Sequence, residues 1–161
     1  MRKIDKLLEL YGESHQTAFN KQIHYICVPA IFFSLLGLLY CVPISGLFSS
    51  FVSDPWLQYC DLATALVVFG IIYYATLSIK LMLSMTTMSL VSLYLIRVID
   101  NSQLAPLWVV MVVIFIVAWI GQFVGHKHEG KKPSFFEDLQ YLMIGPAWTM
   151  SHLFDRIGVR F

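Results

Sequence analysis

Four long stretches without charge organise this chain. They are Tyr25 to Val42, with the uncharged run continuing to Ser53, then Leu62 to Ile79, Leu81 to Ile96 and Leu104 to Val124. A helix needs roughly 20 apolar residues to cross a bilayer. In lipid only helices and closed barrels satisfy their own backbone, and these runs lack the period-two alternation of barrel strands. The pattern therefore predicts four transmembrane helices, at about 22–44, 60–79, 81–99 and 104–126. Between the second and third runs the only interruption is Lys80, with no Gly or Pro to mark a turn. One long bent helix is the alternative there. The joined run is too long for a single straight crossing, so a tight hairpin near Lys80 is expected.

The polar flanks set an orientation. Arg2, Lys3, Lys6 and Lys21 precede the first run, and Lys127, Lys131, Lys132, Arg156 and Arg160 follow the last. The first loop, "PISGLFSSFVSDPWLQYCD", has no Lys or Arg; Arg97 is the one exception on that side. The positive-inside rule then places both termini in the cytoplasm. Beyond Pro133, Ser134 and Glu137 form an S-x-x-E capping box. It predicts a helix from about Phe135 to Ile144 that stops at Gly145–Pro146, and a second piece from Ala147 to about Ile157. Both are apolar and too short to span, so residues 134–158 read as an interfacial or re-entrant segment. Such a segment can cover a polar site and line a channel for a lipid chain, or simply lie on the membrane. The expected fold is thus an all-α integral membrane protein, with residues 1–161 as a single membrane domain of four transmembrane helices.

Composition supports lipid as the solvent. Of 161 residues, 58% are hydrophobic and 13% charged, whereas a soluble domain is about a quarter charged. A chain this small cannot bury such an excess in its own core. The net charge of +1, with no basic stripe, gives no reason to expect a nucleic-acid partner. Cys27, Cys41 and Cys60 are isolated, without CxxC spacing, and read as free thiols packed as small apolar residues. The start, "MRKIDKLLELYGESHQ", lacks the apolar core of a cleavable signal peptide.

The candidate chemistry is imidazole. All five histidines, His15, His24, His126, His128 and His152, lie before the first run or after the fourth, hence at one membrane face. If the fourth helix continues past Val124, Gln122, His126 and Glu129 share one side of it and His128 points elsewhere. Gly130 is the expected helix stop. Imidazole plus carboxylate with open positions suits non-haem iron or catalytic zinc; the plain alternative is a polar helix end among headgroups. Upstream, Tyr11 and His15, and Asn20 and His24, are spaced by four. His15 and His24 are nine apart, so a straight helix would oppose them and a shared site needs a turn around Thr17–Asn20. Asn20 could alternatively be the N-cap of the first span, and Pro29 is expected to bend that span.

The pattern Tyr11…His15…Asn20…His24…Pro29, with Gln122-Phe-Val-Gly-His126…Glu129…Pro133 and a later Gly145-Pro146, resembles a small membrane family of iron(II)-dependent 2-hydroxy fatty acid dioxygenases. Its fungal member acts in phytosphingosine breakdown to odd-numbered fatty acids at the endoplasmic reticulum, and bacterial relatives are common. The resemblance covers nearly the whole chain and places His15, Asn20, His24, Gln122 and His126 on motif positions. In the fungal pattern the acidic residue follows the histidine by four rather than three, so Glu129 implies a one-residue deletion; both spacings keep it on the same helical face. The fungal pattern has glutamate where this chain has His152, and either residue can bind iron. His128 matches nothing in that pattern and reads as incidental.

The resemblance implies α-oxidation of a 2-hydroxy fatty acid: R–CH(OH)–COOH + O₂ → R–COOH + CO₂ + H₂O. No outside reductant is needed, in keeping with a chain that shows no Rossmann, haem-attachment or flavin motif. It implies Fe(II) held by His15, His24, His126 and His152, with Glu129, Asn20 and Gln122 orienting the imidazoles or assisting proton movement. Lys131 or Lys132 would attract the substrate carboxylate. The partners would be 2-hydroxy fatty acid, O₂ and the lipid bilayer, in the inner membrane of a bacterium or the endoplasmic reticulum of a eukaryote. Two other classes compete. One is an electron-transfer protein with haem b between His24 and His126; the other is a structural or lipid-binding protein without chemistry. A desaturase-like enzyme fits less well, since those carry many more histidines in HxxxH-type pairs.

Overall fold

The computed structural model describes residues 3–13, 15–130, 141–156 and 158. Within them the chain is helical and without strands: α1 (Lys3–Gly12), α2 (Ala18–Tyr40), α3 (Asp54–Leu57), α4 (Leu62–Ala75), α5 (Ile79–Ser102), α6 (Leu107–Glu129) and α7 (Ile144–Arg156), with a 3₁₀ turn at Ser45–Leu47. Three of them, α2, α5 and α6, are long and apolar enough to cross a membrane. The second expected span is shorter. α4 has 14 residues, about 21 Å of helix against a hydrocarbon core of about 30 Å.

Local chemistry sets the helix ends. Thr17 is extended and its side chain accepts from the Asn20 amide, so Thr17, not Asn20, caps α2. Asp61 caps α4 by accepting from Thr64 at 2.8 Å. The break between α4 and α5 falls at Thr76–Ser78, where Ser78 is extended at φ −166°; Lys80 lies in the first turn of α5 rather than in the hairpin itself. α6 ends as expected at Gly130, in the left-handed region at φ 73°, whose N–H donates to the His126 and Lys127 carbonyls. Pro29 sits inside α2 and removes the backbone bond to the Tyr25 carbonyl.

One boundary differs from expectation. Gly145 and Pro146 do not stop a helix; they lie in the first turn of α7. A proline in the first turn loses nothing, because its missing N–H would lack an intrahelical partner there. The amides of Ile144 and Gly145 both bond the Tyr141 carbonyl, at 2.8 and 2.7 Å. The capping box at Ser134 and Glu137, and the helix expected from Phe135, lie mostly outside the described residues.

The tightest packing is between α2 and α6. A Cβ on Gly121 would sit 2.6 Å from Cys27 Sγ, one on Gly125 would collide with Asn20 Oδ1, and one on Gly37 would collide with Met111. Gly121-x-x-x-Gly125 is a small-xxx-small seam, which lets two backbones approach closely where lipid supplies no hydrophobic drive. At one end of the bundle Leu36, Ala63, Val67, Ile96 and Met111 form a core from α2, α4, α5 and α6. At the other end α1 and α7 close over the helices: Ile4, Tyr74, Leu81, Met85 and Ala147 pack together. There the Tyr74 hydroxyl also donates to the Met143 carbonyl at 2.6 Å. Outward faces are apolar and exposed, including Phe69, Ile72, Val91, Val117 and Ile120. In water such a surface would drive association; against acyl chains it costs nothing.

The seam makes a direct prediction. Gly121→Ala should destabilise the fold by about 1–3 kcal/mol through overpacking against Cys27, and Cys27→Ala in the same chain should recover most of the loss. Thermal unfolding of the single and double variants in one detergent measures the coupling.

Candidate metal centre

The closed end of the bundle contains the imidazoles. α1 ends at Gly12, and His15 sits in the short linker, its amide bonded to the Gly12 carbonyl at 3.0 Å. The linker bends at Thr17, where α2 begins, so the turn that His15 and His24 need falls at the start of the expected Thr17–Asn20 stretch. His24 projects from the second turn of α2 and His126 from the last turn of α6. The close α2–α6 seam brings these two together, and the linker lays His15 across them.

The result is a buried cluster. One ring nitrogen from each of His15, His24 and His126 lies within 4.8 Å of the others, the one such metal-capable group among the described residues. Ring centroids are 4.2 Å apart for His15–His24, 5.2 Å for His15–His126 and 4.8 Å for His24–His126, all edge to face. Each of the three residues is at most 4% exposed, so the cluster is shielded from bulk solvent. His15 Nδ1 lies 2.7 Å from the Tyr11 carbonyl, and His24 Nδ1 lies 3.0 Å from the Asn20 carbonyl. A carbonyl only accepts, so in both rings Nδ1 carries the proton and Nε2 keeps the lone pair. Fixing the second nitrogen in this way is how proteins orient metal-binding imidazoles. Three imidazole nitrogens converging from three segments fit a divalent transition metal, whose bonds to histidine are about 2.0–2.1 Å.

Glu129 does not join the imidazoles. It reaches across to the α1–α2 linker and accepts from the Gln16 amide at 2.7 Å, the Thr17 amide at 3.1 Å, Thr17 Oγ1 at 2.9 Å and Asn20 Nδ2 at 2.9 Å. It thus supplies a carboxylate to the N-terminus of α2, where the helix dipole favours negative charge. Through Asn20 and the linker it fixes the segments that carry His24 and His15. Asn20 is fully buried between Glu129 and the bare face of Gly125. Gln122, one turn before His126, is buried on the same face of α6.

His152 is set apart from the three. It is half-buried on α7, its Nδ1 3.0 Å from the Trp148 carbonyl and its ring 4.2 Å from the Trp148 ring. Trp148 is also the neighbour of His15, at 5.3 Å, and stacks on Tyr25 at 5.7 Å, so its indole links His152 to the edge of the cluster. Tyr11 stacks on His15 at 4.5 Å from the other flank. His128 lies on the exposed side of α6 against Phe19, at 4.6 Å. Lys131 and Lys132 lie outside the described residues.

The residues missed by sequence reasoning are Thr17, Trp148 and the two glycines of the seam. The Gly121-x-x-x-Gly125 spacing was available in the sequence; the role of Trp148 was not, because only the fold brings α7 onto α1.

A helical protein with long apolar helices, closed at one end around a buried three-histidine centre able to hold a metal, is the class defined by these features. A family model described as Mpo1-like, "2-hydroxy-palmitic acid dioxygenase Mpo1-like", matches residues 1–157, and the chain belongs to that family. No curated protein and no solved structure matches it.

Two expectations follow for the centre. His126→Ala should abolish stoichiometric metal binding while His152→Ala retains it, as read by metal analysis of the purified variants. Glu129→Ala should weaken metal affinity by roughly 10–100-fold without removing a ligand. Asn20→Ala should do much the same, and the two together should cost less than their sum because they act through one network; chelator competition measures each.

Proposed function

We propose that this protein is an iron(II)-dependent dioxygenase that shortens 2-hydroxy fatty acids by one carbon. We place it in the membrane with four crossings, the short α4 included, and with both termini and the histidine end at the cytoplasmic face. The observation that carries the reading is the buried convergence of His15, His24 and His126 in a chain of the 2-hydroxy-palmitic acid dioxygenase Mpo1-like family. The reaction is R–CH(OH)–COOH + O₂ → R–COOH + CO₂ + H₂O, in which the substrate supplies the electrons.

When bound, Fe(II) would supply the O₂ chemistry that side chains alone lack. The three imidazoles would hold it through the nitrogens not engaged with backbone carbonyls. Three protein ligands leave positions for a hydroxyl and a carboxylate of the substrate. Glu129 and Asn20 act as positioning residues, since both carboxylate oxygens are engaged by the linker and by Asn20. Gln122, buried one turn before His126 on α6, would assist from that helix. Lys131 or Lys132, just beyond the end of α6, would attract the substrate carboxylate. Tyr11 and Trp148 flank His15 and exclude water from the cluster. Haem b between His24 and His126 finds little support, because rings in edge contact at 4.8 Å leave no slot for a macrocycle.

Protein purified without oxygen should contain about one iron per chain and no Soret band. With O₂ it should convert a 2-hydroxy fatty acid to CO₂ and the acid one carbon shorter, in equal amounts and without added reductant. His126→Ala should lose both iron and turnover. Retained iron and turnover in that variant would sink the proposed site.

A further inference from the structure

Two adjoining cavities lie along α2, α5 and α7, and one of them reaches His152, whose ring neighbour Trp148 is also the neighbour of His15. The smaller, about 350 Å³, is lined by Tyr25, Pro29, Met88, Thr149, Met150 and His152. The larger, about 760 Å³, runs between α2, α5 and α7 and shares Pro29, Met88 and Met150 with the first. Along α5 its wall extends from Lys80 to Ser92, twelve residues or about 18 Å of helix. Lys80 is at the closed end of the bundle, where neighbouring Leu81 packs with Ile4 and Ala147. Ser92 and Ile114 are deeper, toward the middle of the apolar helices.

The wall is more apolar than its residue names suggest. The hydroxyls of Ser84, Thr87 and Ser92 donate to the carbonyls of Lys80, Leu83 and Met88, at 2.7, 2.9 and 2.8 Å. Their protons are spent within α5, so the groove meets an occupant with methyls, methylenes and the rings of Phe33 and Phe154. Polar chemistry is confined to the two ends: Lys80 at one mouth, and Tyr25 with His152 in the adjoining cavity. Tyr25 and His152 both touch Trp148, whose other neighbour is His15. An elongated apolar space whose polar end at Tyr25 and His152 adjoins Trp148, the neighbour of His15, suits one unbranched acyl chain.

We propose that this groove is the acyl-chain subsite of the histidine centre. A fatty acid with its carboxylate end at the centre threads its chain past Tyr25 and His152. The chain passes Pro29, Met88 and Met150 and ends against Val91, Ser92 and Ile114, which measure its length. His152 is then a positioning residue of the entry path. This rests on the proposed function for the identity of the polar end, and it assigns the specificity-determining residues that the reading lacks.

The test uses the iron-loaded full chain in detergent or nanodiscs, with a ladder of saturated fatty acids of increasing length. Affinity is read by displacement of a fluorescent fatty acid, and turnover is measured separately with the matching 2-hydroxy acids. Val91→Trp and Thr87→Trp fill the groove at its deep end and one turn nearer the junction; both positions are exposed, so the fold tolerates them. Val91→Trp should weaken only the longest chains, by roughly fourfold for each methylene denied its place. Thr87→Trp should move the cut-off to shorter chains. Iron content should be unchanged in both. A ladder identical to that of the unaltered protein in both variants overturns the subsite, as does a two-chain phospholipid that occupies the groove and resists displacement by fatty acid. A shifted ladder without turnover of any 2-hydroxy acid leaves the subsite standing and rejects the catalytic reading instead.

Discussion

The close approach of α2 and α6 is the constraint on which the site depends. Two helices in lipid gain little from hydrophobic burial against each other, so they are held by contact and by polar bonds. Gly121 and Gly125 remove side chains where Cys27 and Asn20 need room. Only at that separation can Asn20 reach Glu129, and only then do His24 and His126 meet in edge contact. A wider crossing would leave two polar helix ends at the membrane surface, which is the bland reading of the same residues.

Glu129 converts that seam into a three-part site. Its carboxylate gathers the amides of Gln16 and Thr17, the Thr17 hydroxyl and the Asn20 amide group. A charged acceptor at a helix N-terminus is favoured by the dipole, and charge-assisted bonds are stronger than neutral ones. The bond set crosses from residue 129 to residues 16–20 and so anchors the linker, which in turn lays His15 over His24. The carboxylate acts on the imidazoles through the backbone that carries them. α1 and α7 then cover the cluster with Tyr11 and Trp148, and the stacking of both rings on or near His15 limits its freedom.

Four hydroxyls of α5 are satisfied within the helix itself. Ser84, Thr87, Ser89 and Ser92 on α5 each return their hydroxyl to a carbonyl four residues earlier. Satisfied internally, they carry no desolvation penalty in a groove or against acyl chains. The same helix therefore reads as polar in sequence and behaves as apolar in place. Arg97, at the opposite end, lies over the Tyr59 ring at 4.1 Å, a way to hold a cation against the apolar first loop.

The sequence by itself determined that the chain is helical with long apolar helices, that its five imidazoles gather at one end, and that His126 and Glu129 leave α6 on one side. These follow from composition, from the 3.6-residue period and from Gly130, all of which act locally. The pair Gly145–Pro146 reads as a helix stop from the same local signals, but it lies in the first turn of α7, which packs on α1 and α2. Which imidazoles meet was a tertiary matter. His15 depends on the linker between α1 and α2, which bends at Thr17, His24 and His126 on the glycine seam, and His152 on the side of Trp148 from which α7 presents it. Spacing along a chain fixes the face of a helix; the distance between faces is fixed by the side chains that are absent from the contact, and those act only once the helices are packed.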